Sequence, residues 1–143
     1  MSEAMDPYRE LGGEAGVRAL VDRFYDRMVS DPEAALIREM HAADLRKMRE
    51  RLALFLCGWL GGPPLYDERF GHLCMRTAHE PFPIGIEARD QWMSCMEHAL
   101  AEAELPVELQ DALIAAFTRV CEMLRNLPED AERPTKVRRA TSA

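Results

Sequence analysis

Histidine, cysteine, tyrosine and tryptophan are the side chains here whose types allow ligand or proton chemistry. The chain has four His, four Cys, three Tyr and two Trp in 143 residues, so each can be weighed singly. His72 and His79 fall in one stretch rich in Pro and Gly, from Gly61 to Gly85. His79 precedes Pro81-Phe82-Pro83 and has apolar Met75, Ala78 and Phe82 as sequence neighbours. A ring on a Pro-bounded segment walled by apolar groups can offer a nitrogen to a metal or cofactor. From spacing alone a surface-loop histidine fits as well, and both readings stand. His72 and His98 read as exposed. His41, ahead of the second long helix, reads as a capping or surface residue.

Most familiar constellations are missing. A structural zinc takes four ligands in paired short spacings, and His72-x-Cys74 with His79 has no second pair. Cys57, Cys74, Cys95 and Cys121 are scattered singly, and nothing marks one as an activated nucleophile. Di-iron bundles use Glu-x-x-His elements, which Glu39 and Glu97 do not form. No Gly-x-Gly-x-x-Gly or phosphate loop occurs, and Gly61-Gly62 reads as a helix stop. Two aromatic residues carry a polar handle. Tyr25 follows Phe24 and so points about 100° away, at the edge of that helix's apolar face. Trp92 lies on the apolar face of a later helix. By spacing each is either core or a ligand-facing donor.

The elements that must position these residues are helices. Val17, Leu20, Val21, Phe24 and Met28 mark one face of a helix that begins at Gly13 and ends at Asp31-Pro32. A short segment runs through Ile37. Asp44 opens a second long helix with the stripe Leu45, Met48, Leu52, Phe55, Leu56 and Trp59, stopped by Gly61-Gly62-Pro63-Pro64. A third starts near Glu87, and a fourth has Pro106 in its first turn and is closed by Pro128. Residues 61–85 read as a long, mostly irregular connection with at most a short helix before Pro81, and such loops inside a compact domain are usually functional. No strand alternation of useful length occurs.

Composition narrows the function classes. Hydrophobic residues are 48%, which fits one globular domain, and 18 basic against 25 acidic residues give a net charge of −7. That acidity argues against nucleic acid as a partner. No apolar run is long enough to span a membrane, and the acidic N-terminus is unlike a secretory signal. A cytoplasmic protein with reduced thiols is expected.

Several of these residues recur together in a known pattern. Phe24-Tyr25, then Phe55-Leu56-x-x-Trp59-Leu60-Gly61-Gly62-Pro63-Pro64-Leu65-Tyr66, then Gly71-His72, His79-x-Pro81-Phe82-Pro83-Ile84 and Arg89-Asp90-x-Trp92-x-x-Cys95-Met96 resemble the group II truncated haemoglobins. The match runs from about Tyr8 to Asn126. The resemblance implies an all-α truncated globin, a two-over-two helical sandwich around haem b. It implies a globin domain over residues 1–127, and residues 128–143 are expected to form a disordered tail. His79 becomes the proximal iron ligand through a neutral imidazole nitrogen, with its other nitrogen hydrogen-bonded, as to backbone. Tyr25 and Trp92 become distal hydrogen-bond donors. His41 matches a variable distal position, with Met40 as the register alternative. Met48 stands where ordinary globins carry a distal histidine. Leu52, Phe55, Leu56 and Phe82 are expected to face the porphyrin.

The chain departs from the family where Ala78 replaces an Arg next to the proximal histidine. Arg76 and Tyr66 are then the candidates for the haem carboxylates. The implied function is binding of O₂ and of other small ligands such as NO, CO or peroxide. The alternatives are a redox enzyme, performing NO dioxygenation or peroxide reduction with an external reductase, or a haem-based sensor acting through a partner.

Overall fold

The computed structural model describes residues 6–128; the expected tail lies almost wholly outside them. Helix α1 (Pro7–Leu11) begins where the Asp6 carboxylate accepts the Arg9 N–H at 3.3 Å. It turns into α2 (Gly13–Ser30) at Gly12, whose φ of +104° suits glycine. α2 buries Val17, Leu20, Val21, Phe24, Tyr25 and Met28, which includes the whole expected stripe. The Asp31 carboxylate accepts the Glu33 N–H at 2.9 Å and starts a 3-10 turn, Pro32–Ala34, that leads into α3 (Ala35–Glu39). Before α4 (Arg46–Trp59), the Asp44 carboxylate takes the Arg46 N–H at 3.0 Å.

The connection from α4 to the next long helix is more ordered than its Pro and Gly content predicts. It holds two short helices, α5 (Leu65–Phe70) and α6 (Met75–His79). His79 therefore ends a helix and does not sit in an irregular loop. Pro63-Pro64 lie just ahead of α5, where a missing N–H costs no helical bond. Gly71, at φ +83°, breaks the chain between the two helices. Neither helix has a fully buried residue, so neither leaves an apolar stripe to read.

α7 (Ile86–Glu102) and α8 (Val107–Leu124) follow, and Pro106 sits at the cap position just before α8. α2 packs on α4 and α7, and α7 packs on α8. No strand occurs among the described residues. Phe24, Leu20, Met28, Met96 and Leu100 are at most 1% exposed. Each contributes roughly 1.5–3 kcal/mol by leaving water. Among the described residues the buried side chains carry hydrocarbon and sulfur, with the Tyr25 hydroxyl as the exception. Asn126, just past α8, accepts the Ile84 N–H at 2.8 Å and donates to the Phe82 carbonyl at 2.8 Å. The Asn126 N–H also donates to the Ile84 carbonyl, so the chain leaving α6 is tied to the end of α8.

Candidate functional site

A cavity of about 450 Å³ is lined by α4, α8 and the segment around α6. This is within the roughly 300–1,000 Å³ range of pockets that bury a sizeable organic ligand. Its walls are mostly apolar: Met48, Leu52, Phe55, Leu56 and Trp59 from α4, Phe117, Val120 and Leu124 from α8, and Phe82 and Ile84 from the segment after α6.

His79 reaches this cavity from the last position of α6. Its Nδ1 lies 2.6 Å from the Met75 carbonyl oxygen, one helical turn back. A carbonyl only accepts, so Nδ1 carries a hydrogen, and in the neutral ring Nε2 is then the nitrogen with the lone pair. This is the arrangement that fixes an imidazole for metal ligation. Among the described residues no cluster of His, Cys, Asp and Glu could hold a bare metal ion. One neutral nitrogen in an apolar pocket instead suits a metal that arrives inside a large organic cofactor.

Tyr25 and Trp92 line the same cavity from α2 and α7. The Phe24 ring touches both, with centroids 5.0 Å from Tyr25 and 4.9 Å from Trp92, and Phe117 lies 5.6 Å from Trp92. Neither the Tyr25 hydroxyl nor the Trp92 N–H is hydrogen-bonded to another described residue. Tyr25 is 2% exposed, and this burial pushes its hydroxyl pKa well up, with Arg49 opposing. The phenol stays protonated and remains a donor.

His41 and Met40 both border the cavity, so the two register alternatives share the wall. His41 Nδ1 is 2.7 Å from the Ile37 carbonyl oxygen, and its ring lies edge-on to Tyr25 at 5.7 Å. Burial lowers the His41 pKa; the Ile37 carbonyl opposes this, and Arg38 and His79 add to it.

Tyr66 lines the cavity, whereas Arg76 is exposed and is not among the lining residues. The arginines in the wall are Arg51 and Arg89. Arg89 is bound to Asp90 and Glu122. Arg51 lies 4.4 Å over the Phe70 ring. Sequence reasoning passed over Arg51, although it stands three residues after Met48 and beside Leu52, at the edge of the cavity-facing stripe.

Comparison with known proteins identifies the family and the fold. The family model for bacterial-like globins matches residues 6–126. A group 2 truncated hemoglobin of Bacillus subtilis, YjbI, is 36% identical over 127 residues, 89% of this chain and 93% of that protein. The solved group II 2-on-2 hemoglobin of Agrobacterium tumefaciens superposes with a TM-score of 0.82 at 39% identity, over 87% of this chain and 97% of that one. A truncated oxygen-avid haemoglobin from Bacillus subtilis gives a TM-score of 0.77 at 36% identity, over 85% and 100% of the two chains.

Proposed function

The chain belongs to the bacterial-like globins, in their group II truncated hemoglobin branch, and from that premise we propose that it binds haem b through His79 and holds O₂ and other diatomic ligands against Tyr25 and Trp92. Haem held by His79 would supply an iron able to bind a diatomic ligand. The observation that carries the assignment is the 2.6 Å contact from His79 Nδ1 to the Met75 carbonyl, which leaves Nε2 free as a ligand in a cavity of porphyrin-accommodating character.

The residues divide the work by chemistry. His79 fixes the cofactor at one point. Leu52, Phe55, Leu56 and Phe82 supply apolar contact and exclude water. Arg51, stacked on Phe70, and Tyr66 are the groups suited to the haem carboxylates, in preference to exposed Arg76. The Tyr25 O–H and Trp92 N–H donate to a diatomic ligand that gathers negative charge. Each such bond in a dry pocket contributes about 1–3 kcal/mol. The oxygen-avid relative fits two donors facing one ligand.

We place the protein in the cytoplasm with its thiols reduced. Cys57, Cys95 and Cys121 are buried singly, and burial pushes Cys95 up to about 11 and Cys121 up to about 12. Any turnover that oxidises the iron then draws electrons from a separate reductase. Reconstitution with haem tests the proposal. One haem per chain, a Soret band and slow O₂ release are expected. Failure of the chain to retain haem would refute it.

A further inference from the structure

The third polar group in the cavity differs in kind from the other two. Resting on the haem assignment above, we propose that His41 takes the proton of small protic ligands H–X, such as hydrogen peroxide or hydrogen cyanide, through the lone pair of Nε2. The Trp92 N–H can only donate, and the Tyr25 phenol oxygen, although it can accept a hydrogen bond, is far too weak a base to take a proton. A ligand that must lose a proton on binding needs an acceptor, and His41 is the cavity-lining residue built as one.

Its tautomer is set by the fold. The Ile37 carbonyl oxygen lies 2.7 Å from His41 Nδ1 and can only accept, so the single hydrogen of the neutral ring sits there. Ile37 is itself held, its N–H donating to Gln91 Oε1 on α7 at 3.2 Å. The peptide that orients His41 is therefore anchored across the sandwich. Nε2, on the far side of the ring, makes no hydrogen bond to another described residue. The ring stands edge-on to Tyr25 with centroids 5.7 Å apart, so the two side chains border the same part of the cavity.

The step balances without an oxidant or reductant. The H–X bond breaks heterolytically, its electron pair stays on X, and the proton forms an N–H bond at Nε2. The anion X⁻ is the form that ferric iron takes. Burial above all, with the Arg38 charge adding to it, disfavours a lasting imidazolium, so the ring is neutral and ready to accept. Arg38 is held away by the Ala42 and Ala43 carbonyls at 3.0 and 3.1 Å and does not occupy Nε2.

Rapid mixing of the ferric holoprotein with cyanide near neutral pH tests this, with CO binding to the ferrous form as the aprotic control. His41→Phe and His41→Gln should each slow cyanide association about a hundredfold, the low end of what a positioned proton acceptor contributes. CO association should change little. Cyanide rates that stay near wild type, or that fall by the same factor as CO, would overturn the proposal. ¹⁵N-resolved NMR of the ferrous-CO form supplies a second readout that needs no variant. A protonated Nδ1 and bare Nε2 at His41 are expected, and a protonated Nε2 would overturn it. A wild-type chain that shows no Soret band would instead overturn the haem assignment, and this proposal with it.

Discussion

Tyr25 and His79 border one cavity but stand on different kinds of scaffold. Tyr25 sits in an 18-residue helix with six buried residues, and Phe24 wedges its ring against Trp92. His79 ends a five-residue helix with no buried residue, held by Met75 and by Asn126 reaching over from the end of α8. Side chains that must aim a proton within tenths of an ångström are built on the packed core. The residue assigned to the iron rests on a few hydrogen bonds, and a bound cofactor would complete its support. Cofactor binding then adds stability mainly on the α6 side, since anything that binds only the folded chain shifts that equilibrium.

Variants on the two sides should therefore fail differently. The largest effect is expected for His79→Gly. Haem transfer to an acceptor protein should accelerate more than about a hundredfold, and free imidazole should restore the Soret band. Retention as in wild type would break the contrast, because the short helix would then contribute nothing to holding the cofactor. Next come the donors. Tyr25→Phe and Trp92→Phe should each speed O₂ release by about 5- to 150-fold, from about 1–3 kcal/mol per lost bond, without haem loss. Stopped-flow release rates unchanged in both variants would remove the distal assignment.

Asn126→Ala sharpens the comparison. It removes side-chain bonds to Phe82 and Ile84, each contributing about 0.5–1.5 kcal/mol net. The melting temperature should fall by several degrees, and haem transfer should respond more than O₂ release. Equal responses would mean that the two sides are not separately held.

The smallest effect is electrostatic. Burial lowers the folded-state pKa of His41 below its ordinary 6.5. Below that pH the unfolded chain takes up a proton that the folded chain refuses, so stability drops as pH falls through this window and is regained above it. Urea titrations of the apoprotein between pH 7 and 5 should show the slope, and His41→Phe should reduce it.

The same division explains what could be read beforehand. α2 announced itself because its buried residues repeat at helical spacing, and the Gly61–Pro64 stop placed the end of α4. α1, α5 and α6 are five or six residues long with no buried face, so no periodicity betrays them. His79, Tyr25 and Trp92 were singled out by residue type, but their joint role came from the ordered motif. The position of Arg76 was illegible for the same reason as α6 itself: Met75, Ala78 and His79 line the cavity, while Arg76, about 100° round α6 from Met75, is exposed outside it. The tautomer of His41 was illegible, since it depends on a carbonyl direction within the short α3.

The central claim is that His79 Nε2 is the iron ligand. Resonance Raman spectra of the ferrous, unliganded protein test it most directly through the iron–histidine stretch. The account predicts that the band is present in wild type and absent from His79→Gly without imidazole. A band that persists unchanged in that variant would assign the iron to another residue and contradict it.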